Sequence, residues 1–322
     1  MDKPFVVPAQ PDSVCQPPST LDFLVDRSFR AMSRAGVILI LALVVALVFE
    51  IGHKAIPGFQ KYGLDMLTGT VWDVNQQKFG ILPAIWGTLY SALIALLIGG
   101  FFGISMAIFL TQDFLPARLA AVFRTIVELL AAIPSVVYGL WGIFVVIPAI
   151  RPLTDWLNGA FGWMPFFSTT LSGPGLLPAS LVLAIMILPT IAAVSQDALR
   201  SVPMKTKQAA YGMGTTHWEA ILKVMVPSAA TGIFGALVLG LGRALGETMA
   251  LAMLVGNSNQ ISLSLFAPAN TLAALLALNF PEAGPSEIEV LMYAALVLMF
   301  ITLVVNVIGS LIMAYAQRGA RK

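Results

Sequence analysis

One arginine and one glutamate lie within an otherwise apolar stretch, TGIFGALVLGLGRALGETMALAMLVG, which covers residues 231–256. Arg243 and Glu247 are four residues apart, so on a continuous helix they would share one face. A planar guanidinium can donate two parallel hydrogen bonds to an oxyanion, and it stays charged in any environment. The spacing predicts an anion site in which Glu247 is an alternative partner for Arg243. A self-contained ion pair is the structural alternative.

A second pair with the same spacing, Arg124 and Glu128, lies in another apolar stretch. Its position near the end of that stretch would suit a gate, although a structural ion pair is favoured there. The sequence contains no HExxH, CxxC or GxSxG motif, and its two histidines, His53 and His217, are far apart. We therefore expect no metal site, and an enzyme acting inside the membrane is the weakest hypothesis.

The segments that carry these charges are strongly hydrophobic. Hydrophobic residues make up 58% of the 322 residues and charged residues 11%, whereas a soluble domain has roughly a quarter charged residues. Six stretches approach the length of about twenty apolar residues that crosses a bilayer as a helix. They cover residues 35–51, 84–110, 121–150, 175–194, 230–256 and 290–316. This predicts an all-α polytopic membrane protein and excludes a soluble enzyme, a disordered chain and a basic nucleic-acid-binding protein.

Lys and Arg are concentrated in both tails and in the connections that follow the second and fourth stretches. Because cytoplasmic loops are enriched in Lys and Arg, we expect both termini in the cytoplasm. The chain then divides into a cytoplasmic tail over 1–34, a transmembrane domain over 35–316 and a cytoplasmic tail over 317–322. On this topology Arg243 lies near the centre of the fifth span, where an arginine costs about 2.5–3.5 kcal/mol and is functional by default.

The longest cytoplasmic connection, residues 196–229, has the pattern of two short helices joined by a tight turn. Its start, turn and capping signals are Ser201, Pro203, Gly212, Gly214, Thr216 and Glu219. Thr216 and Glu219 form a capping box, which predicts that the second helix begins at once. The alternative is an amphipathic helix that lies on the membrane surface.

This connection resembles the cytoplasmic signature of the permease subunits of bacterial ABC importers. The family pattern is Glu-Ala-Ala, three residues, Gly, nine residues, an aliphatic residue, one residue, an aliphatic residue and Pro. The matching positions are Gln208, Ala209, Ala210, Gly214, Val224, Val226 and Pro227. The resemblance implies that residues 203–227 dock on an ATPase subunit through a coupling helix. Gln208 replaces the usual Glu, which removes a possible salt bridge to the ATPase.

Four further strings resemble the phosphate-import permeases of the PstC type. They are ELLAAIPSVVYGLWG at 128–142, LVLAIMILPTIAAV at 181–194, YGMGTTHWEAILKVMVP at 211–227 and GLGRALGETMA at 240–250. The resemblance covers roughly residues 80–315, and it implies the type I ABC importer permease fold in a bacterial or archaeal cell membrane. It also implies that this chain forms half of a translocation pathway for phosphate.

The partners implied by the resemblance are a homologous second permease, a cytoplasmic ATPase dimer and an extracytoplasmic phosphate-binding protein, besides membrane lipid. ATP and Mg would be bound by the ATPase, because this chain has no GxxxxGK[ST] loop. We therefore expect a transport subunit without a cofactor of its own rather than an enzyme. Sulfate and molybdate permeases share the coupling segment, so another oxyanion is the alternative cargo. An ion-coupled secondary transporter is a further alternative, but it leaves residues 196–229 unexplained.

Overall fold

The computed structural model describes residues 20–112 and 114–320. The helices are α1 (Thr20–Tyr62), α2 (Asp65–Thr68), α3 (Leu82–Thr111), α4 (Ala117–Ala132), α5 (Ser135–Trp141), α6 (Ile147–Phe161), α7 (Leu176–Arg200), α8 (Met204–Gly212), α9 (His217–Glu219), α10 (Val226–Leu245), α11 (Met249–Leu254), α12 (Leu272–Asn279) and α13 (Pro285–Ala320). π-Helical turns over Gly142–Val146 and Ala220–Met225 join α5 to α6 and α9 to α10. Short 3-10 turns cover Pro165–Phe167 and Phe280–Glu282.

One small sheet accompanies the helices in the part of the chain that the structure describes. Strands β1 (Trp72–Asp73) and β2 (Lys78–Phe79) are antiparallel and pair Trp72 with Phe79 and Asp73 with Lys78. The Asp73 carboxylate accepts hydrogen bonds from the backbone N–H groups of the turn between them. This hairpin was not predicted, because two-residue strands leave no periodic signal in the sequence.

Six helical stretches among the described residues are long and apolar enough to cross a membrane. They are Phe23–Tyr62, Leu82–Thr111, Ser135–Phe161, Leu176–Arg200, His217–Leu245 and Pro285–Tyr315. The predicted all-α fold with six spans is therefore confirmed. The ends differ from the apolar runs because a helix continues through polar residues until a cap, a glycine or a proline stops it.

The third apolar stretch, predicted over 121–150, is divided between two helices. Ile133 and Pro134 have extended backbone angles, so α4 stops before the proline and α5 begins after it. A proline disfavours the helical conformation of the residue before it and offers no N–H for the ladder. The long apolar helix of this stretch accordingly begins at Ser135 rather than at residue 121.

Residue contacts divide the chain into two units, with the boundary after Glu50. In the first unit the described residues form the first part of α1, whose apolar side chains, such as Leu39 and Leu43, are exposed. Residues 1–19 of the predicted N-terminal tail lie outside the described residues, as do residues 321–322 of the C-terminal tail. Residues 20–34 are helical and continuous with the first predicted span, so residue 35 is not a helix start.

The core of the second unit is built by α3, α7 and α10. Close approach of α3 to α7 depends on two glycines. A Cβ on Gly99 would lie 2.7 Å from the carbonyl oxygen of Ala184, and one on Gly103 would lie 3.0 Å from the Cβ of Ile191. Small residues of this kind let membrane helices pack with their backbones in contact. The result is a close-packed scaffold along α7, the helix that positions the candidate site.

Candidate functional site

The fifth apolar stretch is two helices, α10 and α11, separated by the turn 246–248. Near the C-terminal end of α7, a Cβ on Gly232 of α10 would lie 2.4 Å from the Cβ of Ala198. At the opposite end of α7, the backbone N–H of Gly175 donates to the carbonyl oxygen of Leu254 in α11 (2.8 Å). The turn therefore lies between the two ends of α7, inside the depth of the helix bundle.

Arg243 lies in the last turn of α10, directly before this break, and its side chain is exposed. Its Nη1 donates a hydrogen bond to Oγ1 of Thr190 in α7 (3.2 Å). At a helical rise of 1.5 Å per residue, Thr190 is about 21 Å from the first residue of α7 and about 15 Å from the last. The guanidinium thus lies near the middle of the bundle's depth, where it is not sealed among apolar neighbours.

Arg243 is at the end of a helix, not at the centre of one, which corrects the expectation from the sequence. Gly246 caps α10, but Gly240 and Gly242 lie inside the same helix, so a glycine alone did not mark the end of α10 in the sequence. The position is electrostatically favourable, because the C-terminal end of a helix carries a partial negative charge that stabilises a cation.

Glu247 lies within the break and does not share a helix face with Arg243. Its Oε1 accepts a hydrogen bond from the backbone N–H of Ala250 at the start of α11 (3.3 Å). No ion pair joins Arg243 to Glu247 among the residues that the structure describes. The structural alternative, a self-contained ion pair, is therefore wrong for this conformation, and the i, i+4 argument behind it fails because α10 ends between the two residues.

Tyr138 brings a third helix to the site. Its hydroxyl donates to the carbonyl oxygen of Leu130 in α4 (2.8 Å), which bridges the interruption at Pro134. At the next residue, a Cβ on Gly139 would lie 3.5 Å from the Cα of Ala250, the residue whose N–H donates to Glu247. Beside Tyr138 opens a cavity of about 280 Å³, lined by Leu130, Ile133, Val137, Tyr138, Trp141 and Ile185. Because this lining is largely apolar, the candidate oxyanion-binding groups are Arg243 and the hydroxyl of Thr190.

Arg124 and Glu128, the predicted gate pair, both lie on α4. Arg124 is half-buried, and its Nε is buried without a hydrogen-bond partner, whereas Glu128 is exposed. The described residues show no ion pair between them, so the favoured structural reading of this pair is wrong for this conformation. The stretch on which they lie ends at Ala132, which puts them on a separate helix before the long third span.

The predicted helix-turn-helix of residues 196–229 is present. After α8, the backbone turns at Gly214 with φ of +82°, and the hydroxyl of Thr215 donates to the carbonyl oxygen of Ala210 (2.9 Å). The capping box is confirmed: the N–H of Glu219 donates to Oγ1 of Thr216 (3.3 Å), and the N–H of Thr216 donates to the Glu219 carboxylate (3.1 Å). These bonds fix the direction in which the chain enters α9.

One capping prediction in this segment is wrong. The hydroxyl of Ser201 donates to the carbonyl oxygen of Ala198 at the end of α7 (2.7 Å), and α8 begins after Pro203 without a side-chain cap. Of the signature residues, Gln208 and Ala209 are exposed, and Ala210 is buried. Pro227 lies where the π-helical turn Ala220–Met225 passes into α10, within the helical stretch His217–Leu245, and it offers no N–H to that stretch.

Thr190 and Tyr138 were not identified as site residues from the sequence. Thr190 was visible only as a hydroxyl residue beside Pro189, and such residues commonly satisfy the carbonyls that a proline frees. Tyr138 was one aromatic residue in an apolar run. The contact of Thr190 with Arg243 and the position of α5 beside the break depend on how α7 and α5 pack against the broken span, which no local pattern encodes.

The model of the family described as "Binding-protein-dependent transport system inner membrane component" matches residues 99–322. The chain belongs to this family. Its members are multi-pass proteins of the inner membrane, in agreement with the six apolar helices.

The permease is 40% identical to the phosphate transport system permease protein PstC of Mesorhizobium japonicum, with 89% of each chain covered. It is 39% identical to PstC of Haemophilus influenzae, over 91% of this chain and 95% of that protein. The resemblance to the PstC type is thereby confirmed.

Two solved structures show the same fold. The permease matches a chain of the MetNI methionine ABC transporter in an inward-facing conformation with a TM-score of 0.56 and 20% identity, over 73% of this chain and 95% of that one. It matches a chain of a bacterial alginate ABC transporter, solved with a periplasmic protein bound to an alginate pentasaccharide, with a TM-score of 0.59 and 16% identity, over 89% and 94% of the two chains. The predicted ABC importer permease architecture is confirmed.

Proposed function

We propose that this permease is the membrane-spanning subunit of an ATP-driven importer of inorganic phosphate and forms half of the translocation pathway. Two relatives of 39–40% identity are named as phosphate transport permeases. The observation that carries the proposal is the exposed guanidinium of Arg243, near the middle of the bundle's depth and beside a break in the fifth span. A permanent cation is costly to insert at that depth, and such residues usually mark the path of a substrate or ion. For a cation, that substrate would be an anion.

In this proposal Arg243 binds phosphate with its two parallel N–H groups and gives up its bond to Thr190 as it does so. The hydroxyl of Thr190 holds the guanidinium in place between transport events, which lowers the entropy cost of binding. The break at 246–248 supports this role, because a discontinuous helix at membrane depth is tolerated only where it is buried in protein or lines a cavity. The other half of the pathway comes from a homologous second permease.

Glu247 releases the anion by offering Arg243 an alternative partner when the break rearranges. Glu247→Gln tests this role, because the amide oxygen can still accept the N–H of Ala250 while the charge is lost. An opposite charge at about 4 Å is worth about 1 kcal/mol in water and more in a protein, so we expect maximal phosphate uptake to fall at least about fivefold. Uptake measured against phosphate concentration checks this.

Glu247→Ala serves as the comparison, since it removes both the charge and the hydrogen bond to α11. We expect it to reduce uptake further and to weaken the folded permease. If Glu247→Gln transports phosphate at the wild-type rate, Glu247 acts only on the start of α11 and has no part in release.

Coupling to ATP is assigned to the segment 203–227. In this proposal α8 presents Gln208 and Ala209 to a groove of a cytoplasmic ATPase dimer, which binds ATP and Mg and performs the hydrolysis. An extracytoplasmic phosphate-binding protein delivers the anion to the opposite side of the membrane, and both termini of the permease are in the cytoplasm.

Arg124 and Glu128 on α4 are proposed as a cytoplasmic gate, because they are unpaired with each other in the described conformation.

Uptake by the reconstituted complex tests the function as a whole. Proteoliposomes that contain both permeases and the ATPase should accumulate radiolabelled phosphate when ATP and the binding protein are supplied on their respective sides. An ion gradient without ATP should drive no uptake, and uptake under that condition would favour a secondary transporter. Excess sulfate or molybdate should not compete. Competition by either would assign the permease to that oxyanion instead.

A further inference from the structure

An aromatic cluster connects the α3–α4 connection to the turn that follows α8. We call it the aromatic link, and it consists of Phe114, Tyr211, His217 and Trp218. The ring of Phe114 lies 4.9 Å from that of His217 and 4.8 Å from that of Trp218, measured between centroids. The rings of His217 and Tyr211 are stacked at 6.2 Å. Residues about a hundred positions apart in the chain are thus held in one cluster.

The rings of the aromatic link come from three segments of the permease. Tyr211 lies on α8, and His217 and Trp218 lie just after the capping residue Thr216. Phe114 lies in the short connection that leads into α4. The same ring packs against Phe109 of α3, at 5.1 Å between centroids. Ring contacts therefore join α8 and α9 to the connection between α3 and α4.

The far end of α4 reaches the candidate anion site. Leu130, in its last turn, accepts the hydrogen bond of Tyr138 in α5. At the next residue of α5, a Cβ on Gly139 would lie 3.5 Å from the Cα of Ala250, whose N–H donates to Glu247 in the break beside Arg243. The interruption at Pro134 separates α4 from α5, so α4 can tilt about this point without breaking a continuous helical ladder. A series of contacts thus runs from the proposed ATPase-docking helix to the break beside Arg243.

We propose that the aromatic link transmits the movement of α8 to α4 and so couples ATP hydrolysis to the opening of the pathway at Tyr138 and Arg243. This inference rests on the proposed function and adds Phe114 and His217 to it as positioning residues. Aromatic contacts suit this task, because ring pairs have preferred geometries and resist sliding more than aliphatic contacts do. A merely structural role would stabilise the fold without altering how much transport each hydrolysis event yields.

The test is the ratio of phosphate taken up to ATP hydrolysed by the reconstituted complex, compared between the wild type and Phe114→Ala. Loss of the three ring contacts of Phe114, with Phe109, His217 and Trp218, should lower this ratio about tenfold, while ATP hydrolysis continues and the ATPase stays bound. Phe114→Tyr retains the ring and should keep a ratio near that of the wild type. Phe101→Ala is the matched control, because Phe101 is a highly exposed ring of α3 that contacts Phe102 instead.

The same ratio is measured for His217→Ala, which removes the ring on the other side of the link, and for His217→Phe, which keeps a ring there. These two variants test the inference if Phe114→Ala does not assemble. The double variant with Phe114→Ala should lose no more than either single variant, because the two rings act as one unit. An unchanged ratio in both alanine variants would overturn the inference while leaving the proposed function intact. Failure of the wild type to transport phosphate would instead refute the proposal that phosphate is the transported anion. The ratio would then be measured with the oxyanion that the wild type does transport.

Discussion

Replacing Arg243 by alanine is expected to lower phosphate uptake by the reconstituted complex at least a hundredfold. Each charge-assisted hydrogen bond contributes about 1.5–3 kcal/mol, and the alanine variant loses two of them. Arg243→Lys keeps the charge but replaces a planar fork with a point donor, so we expect uptake to fall about tenfold to thirtyfold. Initial rates of radiolabelled phosphate uptake at saturating ATP measure both effects.

Arg34→Ala provides the matched control for this prediction. Arg34 is an exposed arginine in α1 and belongs to the other structural unit, so its loss should leave uptake near the wild-type rate. ATP hydrolysis should persist in Arg243→Ala, because the coupling segment is untouched. Wild-type uptake by the alanine variant would remove Arg243 from the pathway, and the unusual depth of its guanidinium would then need a purely structural explanation.

The number of membrane-crossing helices was predictable because each of them requires a long run of apolar residues. A helix in lipid must satisfy every backbone group internally and cross the whole bilayer, so about twenty consecutive residues must be largely apolar. The capping box at Thr216 and Glu219 was predictable for a related reason, since both partners lie within one helical turn. Local rules succeed where the interacting groups are neighbours in the chain.

The geometry around Arg243 was not predictable, because it is decided by contacts between distant residues. Gly246 alone does not explain why α10 stops, because Gly240 and Gly242 lie inside the same helix. Beyond the break, α11 continues in a different packing environment. There it contacts α5, where a Cβ on Gly139 would lie 2.6 Å from the sulfur of Met253. The bond from Arg243 joins it to a residue 53 positions away. A continuous helix with Arg243 at its centre was the simplest reading of the sequence, and packing overrode it.

The same reasoning explains the misplacement of Arg124 and Glu128. Apart from Arg124 and Glu128, the run from residue 121 to 150 is largely apolar, and Pro134 is the local sign that two helices meet within it. A proline within an apolar run can kink a helix or end it, and the sequence alone does not distinguish these outcomes. Here Ile133 adopts an extended conformation, so the helix ends, and α4 becomes a separate element that carries both charges.

Replacing Gly214 by valine is expected to release the ATPase from the complex and to lower phosphate uptake at least tenfold. Gly214 has φ of +82°, a conformation that costs an L-residue about 1–2 kcal/mol and a β-branched residue more. The strain falls on the turn that orients α8, so the exposed face of Gln208 and Ala209 loses its position. Co-purification of the ATPase with a tagged permease measures docking, and uptake measures coupling.

Gly212→Val separates this backbone effect from a change of volume. Gly212 is the last residue of α8 and has no positive φ, and neither Gly212 nor Gly214 has an atom within 4 Å of the place where a Cβ would lie. Valine is therefore sterically free at both sites and strained only at Gly214. Gly214→Asn should retain most of the docking, because asparagine tolerates the left-handed conformation. Equal docking by the two valine variants would show that the turn geometry is not what presents α8, and the assignment of residues 203–227 to ATPase coupling would fail with it.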